Sequence, residues 1–453
     1  MDVRNKEVLV VGLGISGLST IKGLSKLGAN IQVTDTKSED EFKDILKAIE
    51  DIPIKKYFGT DDIDLEGVHL IVKSPGVPPY AKVIRDGRKK GIEIVTDIEL
   101  GFRLSPTDKI VAITGTNGKT TATTLTGEIL KRVKPSTYVV GNIGVGILER
   151  IVGAKSDDIF VIEASSFQLE DTKLFKPKVS LILNLSPDHI DWHGSYENYI
   201  NAKKNICRNQ DREDYAVLNY DDKMIRTFER ELNTNIIWFS LLEKLDRGIY
   251  LDGEDIIIRD ELGETKVMSI SDIKILGKHN LENILGSIGV CHAMGIDNEI
   301  ICNGIKEFNG VEHRLEYVLE KRGIYFYNDS KGTNPDASIK AIEAIEGSIV
   351  LIAGGYDKGV EFDEFIRAFN NKIRYLILLG ETKDKIRDTA LKYGFKDYYL
   401  VNNMNEAVNL AYRLSEKGDS VLLSPACASW DMYNSFEERG EDFKEIVYGL
   451  KEE

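Results

Sequence analysis

The stretch Lys109-Ile-Val-Ala-Ile-Thr-Gly-Thr-Asn-Gly-Lys-Thr-Thr121 decides the organisation of this chain of 453 residues. Its apolar run Ile110 to Ile113 predicts a buried strand, and the later segment Thr123 to Lys131 predicts a helix. A glycine turn with a lysine joins the two. This arrangement is typical of phosphate-binding loops, because the backbone N–H groups of the turn and of the helix N-terminus point at phosphate oxygens.

The spacing of this loop departs from the general phosphate-binding pattern. That pattern has four residues between its two glycines, whereas only two residues separate Gly115 from Gly118. A chance turn is the alternative, and the strand before it and the helix after it count against that interpretation. Lys119 would supply a point charge to the phosphates, and the Thr120 hydroxyl would reach Mg²⁺.

Composition limits the class of protein. The length predicts about three domains, and 59 basic against 74 acidic residues give a net charge of −15. That balance argues against nucleic acid or an anionic membrane as a partner. The four cysteines form no C-x-x-C pair, and no signal peptide or long apolar run occurs. We therefore expect a cytoplasmic protein without a membrane span, metal cluster or disulfide framework.

A second glycine motif lies near the N-terminus. The stretch Glu7 to Gly17 predicts a strand followed by G-x-G-x-x-G, and a second strand ends at Asp35, 18 residues after Gly17. This is close to a complete dinucleotide fingerprint, which alone predicts NAD or FAD with Asp35 on a ribose hydroxyl. UDP carries the same diphosphate, so the motif leaves the ligand open. An NAD-dependent dehydrogenase would leave the phosphate-binding loop at Lys119 without a role.

Polar side chains follow two apolar strands of the central region. Glu163 ends the run Ile159 to Glu163, where a second Mg²⁺-holding group belongs beside a phosphate-binding loop, with a structural ion pair as the alternative. The strand Val179 to Asn184 leads into Ser186-Pro-Asp-His-Ile-Asp-Trp-His193, which holds two His and two Asp within six residues. His189 is therefore a metal-ligand or acid–base candidate.

Apolar strands alternate with helix-like segments in the last third of the chain. Strands are predicted at 348–353, 375–379, 398–401 and 420–424, which indicates a doubly wound, mostly parallel sheet. Ligands of such sheets bind beyond the carboxyl ends of the strands. The polar candidates just past strands are Asp329, Ser330, Lys331, Thr333, Asp357, Lys358, Ser424 and Ser429.

The form G-T-N-G-K-T at 115–120 resembles the nucleotide loop of the Mur ligase family, the ATP-dependent enzymes that add amino acids to the cell-wall precursor, and of folylpolyglutamate synthases. Segments 329–334, 354–359 and 423–431 resemble the members that add D-glutamate, whereas alanine- and diamino-acid-adding members carry His-rich forms in the first of these. The matching motifs occur in the family's order along the whole chain. Trp430 is one departure, since relatives often have a different apolar residue there.

The resemblance implies an α/β fold of three domains. These are an N-terminal Rossmann-like domain at 1–97, a central P-loop ATPase-like domain at 98–310, and a C-terminal doubly wound Rossmann-like domain at 311–453. The segment Ile92 to Glu99 predicts a strand that runs into the boundary between the first and the central domain. Within the central domain, Gly248 to Arg259 predicts another strand. In the first domain the resemblance favours a UDP-substrate over NAD. The implied UDP-substrate contacts are Gly14, Ile15, Ser16, Asp35, Thr36, Gly76, Asn142, Ser165 and His189.

The resemblance further implies that ATP and two Mg²⁺ ions bind the central domain. The family pattern D-H-x-D and then Y-x-x-A-K matches 188–191 and 199–203, which makes Lys203, not Lys204, the lysine that carries a carbamate. A carbamate turns a cationic amine into a hard-oxygen ligand for Mg²⁺. The implied metal ligands are Thr120, Glu163, His189 and Lys203, and the catalytic residues are Lys119, Glu163, His189 and Lys203. The implied ATP contacts are Gly115, Thr116, Asn117, Gly118, Lys119, Thr120, Thr121, Asn280, Asn283, Arg314 and Asp329.

The implied reaction joins two small molecules, UDP-N-acetylmuramoyl-L-alanine and D-glutamate, through an acyl phosphate. Neither nucleic acid nor a membrane is expected as partner, and a monomer is expected. From the residues alone, Lys358 could be a solvated turn residue and Ser429 a helix cap. An ATP-binding regulatory protein with a lost reaction is a further alternative, against which the complete set of site candidates counts. The implied D-glutamate contacts are Thr333, Lys358, Ser429 and Phe436.

Overall fold

The computed structural model describes residues 1–275 and 277–451. Three β-sheets, each built mainly from parallel strands, follow one another along the chain, which confirms the predicted α/β fold class. Among the described helices, none is long and apolar enough to cross a bilayer. The predicted domain bounds stay predictions, and residues 452 and 453 of the third domain lie outside the described residues. The chain divides into two compact units, Met1–Asp272 with Leu281–Ile305, and Ile273–Asn280 with Lys306–Glu453.

The first region forms a parallel sheet that is covered on both faces. Its elements are β1 (Glu7–Val11), α1 (Ile15–Lys26), β2 (Asn30–Asp35), α2 (Lys43–Lys47), β3 (Ile54–Phe58), β4 (Leu70–Lys73), α3 (Lys82–Lys89), β5 (Glu93–Thr96) and α4 (Asp97–Leu104). The strand order is β3-β2-β1-β4-β5. Val8 and Val10 enter one core while Leu9 and Val11 enter another, because successive side chains of a strand point to opposite faces. A ligand crevice is therefore expected beyond the carboxyl ends of the strands.

The second region forms a nine-stranded sheet in which β6 is the third strand from one edge. Its strands are β6 (Ile110–Thr114), β7 (Thr137–Gly141), β8 (Ile159–Glu163), β9 (Val179–Ile182), β10 (Tyr215–Asn219), β11 (Asn235–Ser240), β12 (Gly248–Asp252), β13 (Asp255–Asp260) and β14 (Gly263–Ser269). β6 lies between β8 and β9, so the chain segments after these three strands emerge side by side. The helices are α5 (Lys119–Val133), α6 (Ile147–Ile151), α7 (Ser166–Glu170), α8 (Ile190–His193), α9 (Tyr196–Lys204), α10 (Lys223–Arg226), α11 (Lys278–Ala293) and α12 (Asn298–Glu307).

Two predicted strands are wrong in extent. The segment Ile92 to Glu99 is a strand only as far as Thr96, and helix α4 begins at Asp97 because acidic residues favour the first turn of a helix. The segment Gly248 to Arg259 forms an antiparallel hairpin of β12 and β13. The chain reverses at Gly253, whose φ of 63° is readily adopted by glycine.

The third region forms a six-stranded sheet that is parallel apart from its first strand. Its elements are β15 (Glu316–Lys321), β16 (Ile324–Asn328), α13 (Pro335–Ala344), β17 (Ile349–Ala353), α14 (Asp363–Arg367), β18 (Ile373–Leu378), α15 (Lys383–Lys392), β19 (Tyr398–Leu400), α16 (Met404–Leu414), β20 (Ser420–Leu423) and α17 (Phe436–Gly449). The order is β15-β16-β20-β17-β18-β19. Leu351 and Ile352 of β17 enter separate cores, so the sheet is buried on both faces. The predicted doubly wound architecture agrees with this arrangement.

Candidate active site

The phosphate-binding loop folds as a turn that leads directly into α5. The helix begins at Lys119, so its predicted start at Thr123 is wrong by four residues. Gly118 has a φ of 81°, and a Cβ there would lie 2.0 Å from Asn283 Oδ1. Only glycine fits, because both the backbone conformation and the available space exclude a side chain. The N–H groups of residues 119 to 121 therefore belong to the first helical turn, where anions bind.

Asn184, just after β9, anchors the other side of this loop. Its side-chain oxygen accepts the Asn117 N–H at 2.8 Å, and its carbonyl accepts the Thr116 N–H at 2.9 Å. The Thr116 hydroxyl lies 2.9 Å from the Tyr199 hydroxyl. Sequence reasoning missed Asn184, although a polar residue at the end of the predicted strand Val179 to Asn184 was a usable signal. The loop is thus held in shape before any phosphate binds.

The two predicted lysines converge on one carbonyl of the loop. Lys119 Nζ donates to the Gly115 carbonyl at 3.0 Å, and Lys203 Nζ donates to the same oxygen at 2.7 Å. Lys203 is only 2% exposed and also contacts Thr114 Oγ1 at 3.3 Å. Burial, and next the charge of Lys119, hold the pKa of the Lys203 amine well below its usual range. An uncharged amine at this place is therefore favoured.

Lys204 occupies a different environment. Its Nζ lies 2.7 Å from Glu231 Oε2, which is more than half exposed, and its charge lies above the Phe228 ring. The Lys203 amine instead lies 4.9 Å from the centre of the Tyr199 ring, inside the protein. This difference supports the prediction that Lys203 is the functional residue of the pair.

Glu163 ends β8 as a buried carboxylate with one unsatisfied oxygen. Its Oε1 accepts the Asn142 side-chain N–H at 3.0 Å, while its Oε2 is buried with no hydrogen-bond partner among the described residues. Gly141 permits the close approach, since a Cβ there would lie 2.4 Å from the Glu163 carbonyl oxygen. A buried carboxylate oxygen without a donor is unfavourable. A cation such as Mg²⁺ would satisfy it, so the residue fits the predicted metal ligand.

His189 lies at the start of α8 in a left-handed conformation, with a φ of 50°. Its ring packs on Phe167 at 4.7 Å between centroids, and its Nε2 lies 3.4 Å from Asp188 Oδ2. Sequence reasoning gave no role to His193, which is buried, stacks on Phe167 and bonds the Ser166 hydroxyl at 3.0 Å. The repeated histidine in the loop was its only signal. His193 therefore fastens the segment that carries His189.

A cavity of about 860 Å³ opens at the carboxyl ends of β1, β2 and β4. The turn after β7 also lines it, so the first two regions share one pocket. The cationic side chains Lys37, Lys82 and Arg85 line the cavity, and sequence reasoning missed all three. Seven of the predicted UDP-substrate residues line it, namely Gly14, Ile15, Ser16, Asp35, Thr36, Gly76 and Asn142.

Ser165 and His189 are not among the residues that line this cavity. The Ser165 hydroxyl accepts the Gln168 N–H at 3.3 Å and so caps helix α7. Asp35 lines the cavity and also shapes it, because its carboxylate accepts the N–H of Leu13 at 2.8 Å. The fingerprint acid therefore holds the glycine loop in addition to facing the ligand space.

The remaining predicted ATP contacts lie on α11 and around β16. Asn280 and Asn283 occupy the first two turns of α11. Asp329, just after β16, is buried and accepts the Ser424 hydroxyl at 2.7 Å. Burial raises the pKa of Asp329 to about 7, against the hydrogen bond from Ser424 and the charge of Arg314. The charge of Arg314 thus acts on Asp329, while contact of both residues with ATP stays a prediction.

Among the described residues, one group outside the central region has the geometry of a metal site. It consists of Glu312, His313 and Glu441, whose ligand atoms lie within 4.8 Å of one another. Lys444 Nζ lies 2.8 Å from Glu441 Oε1 and 3.2 Å from Glu312 Oε1. The Lys444 ammonium already pairs with both carboxylates, so we assign no metal to this group.

Two of the predicted D-glutamate residues, Lys358 and Phe436, each take part in a cation–π contact with a residue outside the predicted set. Lys358 lies with its Nζ 5.0 Å from the ring centre of Trp430, which adjoins the buried Ser429. Phe436 begins α17, and its ring lies 5.3 Å from the ammonium of Lys331, two residues before Thr333. Both pairs follow carboxyl ends of strands, as predicted.

Arg439 connects the segments that carry these pairs. It is buried and donates to Ser330 Oγ at 3.0 Å and to the Cys427 carbonyl at 3.1 Å. It also donates to the Ala428 carbonyl at 3.2 Å. Burial lowers the pKa of Arg439 to about 10. Sequence reasoning quoted its motif but gave the arginine no role, since its partners lie more than 100 residues away or in another loop.

Family profiles match the three regions in turn. The MurD-like N-terminal domain of Mur ligases matches residues 6–96. The Mur ligase middle domain matches residues 113–291, and the Mur ligase glutamate ligase domain matches residues 313–427. The order of these matches is the order of the three sheets.

Full-length relatives carry the name UDP-N-acetylmuramoylalanine–D-glutamate ligase. The protein of Thermoanaerobacter sp. (strain X514) is 48% identical over 454 residues, and that of Caldanaerobacter subterraneus subsp. tengcongensis is 46% identical over 454 residues. The protein of Clostridioides difficile is 46% identical over 452 residues. Each of these alignments covers 100% of both chains.

Solved structures share the fold at low identity. The structure of UDP-N-acetylmuramate-alanine ligase MurC from Thermotoga maritima has a TM-score of 0.61 at 20% identity, covering 98% of this chain and 100% of that one. The MurF ligase of Thermotoga maritima in complex with ADP has a TM-score of 0.56 at 18% identity, covering 99% of each chain. The resemblance indicated by the sequence motifs is confirmed. By its full-length relatives and its three matching profiles, the chain belongs to the Mur ligase family.

Proposed function

We propose that this protein joins D-glutamate to UDP-N-acetylmuramoyl-L-alanine at the expense of ATP. The observation that carries the proposal is 46–48% identity over the whole chain to relatives of that name. The substrate carboxylate attacks the γ-phosphorus of ATP, and ADP leaves. The D-glutamate amine then attacks the acyl carbon, and phosphate leaves. ATP is required because amide formation from a free carboxylate in water is unfavourable.

The cavity of the first region supports a UDP-linked substrate over NAD. One of its walls is the turn that contains Asn142, and the same side chain donates to Glu163. A ligand held there by its diphosphate would reach past Asn142 toward the carboxylate of Glu163, beside the phosphate-binding loop. A substrate with a nucleotide at one end and a reacting carboxylate at the other matches this arrangement.

The central residues would hold ATP and Mg²⁺. Lys119 would leave the Gly115 carbonyl for the phosphates, whose negative charge binds an ammonium better than a neutral oxygen does. Thr120, Glu163, His189 and a carbamylated Lys203 would hold two Mg²⁺ ions, and the unsatisfied Glu163 Oε2 is the feature that supports this. When bound, the ions neutralise charge on the transferring phosphoryl group. Contacts of Asn280, Arg314 and Asp329 with ATP are part of the same proposal.

The environment of Lys203 supports the carbamate. Burial lowers the pKa of the Lys203 amine, which favours its uncharged, nucleophilic form. The amine nitrogen attacks the carbon of CO₂, an N–C bond forms, and the nitrogen loses a proton to water. The product is an anion beside the Lys119 ammonium, and the attraction between these opposite charges stabilises it.

The third region would select the amino acid. D-Glutamate carries two carboxylates, which need hydrogen-bond donors and positive charge. The exposed ammonium of Lys358 would supply the charge, and the hydroxyls of Thr333 and Ser429 would supply further donors. Phe436 would pack on the aliphatic part. We also propose that the enzyme acts as a monomer in the cytoplasm, where its four free cysteines would stay reduced.

The test is phosphate release from ATP by the purified protein. Release is expected only when UDP-N-acetylmuramoyl-L-alanine and D-glutamate are both present, with L-glutamate a poor replacement because its inverted centre misplaces the amine. A parallel titration with NAD(H) provides the control. Micromolar NAD(H) binding without binding of the UDP-substrate, or equal use of both glutamate enantiomers, would contradict the proposal.

A further inference from the structure

Trp430 is a large aromatic residue whose side chain is mostly exposed to solvent. Its side chain is 63% exposed, whereas Trp192 and Trp238 are half-buried. A single exposed apolar side chain is common on protein surfaces, so its exposure alone indicates no role. The contacts of this ring are what distinguish it.

The ring of Trp430 forms a cation–π contact with the ammonium group of Lys358. The Nζ atom lies 5.0 Å from the ring centre, within the range of a cation–π contact. The adjacent carboxylate, Asp357, is paired with Lys385 at 3.3 Å instead. Among the described residues no carboxylate forms an ion pair with Lys358, so the indole holds the cation without neutralising it.

The backbone keeps the ring and the lysine together. The Tyr356 N–H donates to the Ala428 carbonyl at 2.9 Å, which joins the segment after β17 to the segment after β20. Gly355 allows this approach, since a Cβ there would lie 2.3 Å from the Ala428 oxygen. The Tyr356 ring also packs on Trp430 at 5.7 Å between centroids. Lys358 and Trp430 are therefore presented from two segments that are fixed to each other.

From these contacts we propose that Trp430 is a positioning residue that holds the Lys358 ammonium ready for the side-chain carboxylate of the incoming amino acid. The inference rests on the proposed role of Lys358 in D-glutamate binding and adds the residue that orients it. A neutral aromatic face restricts a long flexible side chain and leaves its charge available, whereas an acidic partner would compete with the substrate. Asp357 is kept out of that competition by Lys385.

The experiment measures the KM for D-glutamate, ATP and the UDP-substrate in variants of the full-length enzyme. Trp430→Leu is expected to raise the KM for D-glutamate about 2- to 5-fold, the worth of an exposed cation–π contact, with the other two KM values unchanged. Trp430→Phe, which keeps a ring, should give a smaller rise. Tyr448→Leu is the matched control, because Tyr448 is 61% exposed in the same unit but lies on α17.

A double-mutant cycle separates positioning from packing. In a Lys358→Met background, Trp430→Leu should no longer change the KM for D-glutamate, because the ring would have no cation to hold. An unchanged KM in Trp430→Leu, an equal rise in both backgrounds, or a lowered thermal midpoint in both Trp430 variants would overturn the inference. If Lys358→Met alone leaves the D-glutamate KM unchanged, the proposed pocket itself is wrong, and this outcome is distinct from the others.

Discussion

The two lysines that the proposed reaction needs lie in opposite environments. Lys203 is buried, shares the Gly115 carbonyl with Lys119, and has a pKa well below its usual range. Lys358 is exposed, and its ammonium rests on the ring of Trp430. Burial favours an uncharged amine that can be modified, while exposure favours a hydrated cation that can bind a carboxylate directly. One residue type thus serves two chemical purposes, and its surroundings decide which.

The largest effect is expected from Lys119→Ala. This change removes the point charge that faces the phosphates, so phosphate release should fall about 10³- to 10⁵-fold, as when other cations are removed from a transferring phosphoryl group. It should also raise the pKa of Lys203, because the nearby like charge disappears. Lys131→Ala, at the exposed C-terminal end of the same helix, is the control and should leave the rate unchanged. A Lys119→Ala enzyme of normal rate would remove the loop from the mechanism.

Lys203→Ala tests the buried side of the comparison. Loss of a ligand for Mg²⁺ should reduce the rate about 10³-fold, and added acetate or formate should restore part of it by supplying the missing carboxylate. Lys204→Ala should retain activity, since its charge faces the surface at Glu231. The wild-type enzyme in ¹³CO₂ should show a carbamate carbonyl signal that the Lys203→Ala variant lacks. Equal losses in the two variants would show that burial does not distinguish them.

Asp329 shows that burial acts on an acid as well as on an amine. With a pKa of about 7 in the folded protein against 3.8 in the unfolded chain, the folded state retains a proton that the unfolded chain has released. Stability from this group is therefore complete below about pH 4, falls as the pH rises to about 7, and is constant above. Between about pH 4 and pH 7 this group lowers the free energy of unfolding by at most ~4 kcal/mol.

Thermal midpoints of Asp329→Asn and wild type, measured from pH 5 to 8, check this expectation. The difference in favour of the variant should grow up to about pH 7 and then level off. Asp384→Asn, in an exposed pair with Arg387, should give a difference that does not depend on pH in this range. A difference that does not change between pH 5 and 8 would mean that Asp329 is ionised throughout this range in the folded protein.

The smallest effect is expected on the exposed side of the comparison. A charge-assisted contact with a substrate carboxylate is worth ~1.5–3 kcal/mol, or roughly 10- to 150-fold in binding. Lys358→Ala should raise the KM for D-glutamate by about that factor and leave the KM for ATP unchanged. Lys385→Ala, which frees Asp357 to attract Lys358, should produce a rise in the same direction. Normal D-glutamate kinetics in Lys358→Ala would remove the proposed pocket.

Short motifs predicted the parts of the site that the local sequence controls. Gly118 and Lys119 could be recognised because a left-handed glycine and a helix N-terminus are properties of a few adjacent residues. The α/β class was predictable for the same reason, since apolar strands alternate with helical segments along the chain. The motif did not indicate that the helix begins at Lys119, because this start depends on the turn made at Gly118.

Contacts between distant segments could not be predicted. Asn184 supports the nucleotide loop from a strand that follows it by more than 60 residues, and Arg439 reaches back 109 residues to Ser330. The cation–π contact of Lys358 and Trp430 depends on two loops that meet only in the folded sheet. Such partners leave no periodic pattern in the sequence, so only the three-dimensional structure assigns them.

Asn142 lies between the cavity of the first region and Glu163, and this position has a consequence for inhibition. It lines the cavity of the first region, where we propose that the UDP-substrate binds, and it donates to the carboxylate of Glu163. A compound that fills the cavity and draws the amide toward itself would loosen Glu163 without entering the phosphate-binding loop. Such an inhibitor should raise the Mg²⁺ concentration required for half-maximal ATP binding, an effect that Asn142→Ala would abolish.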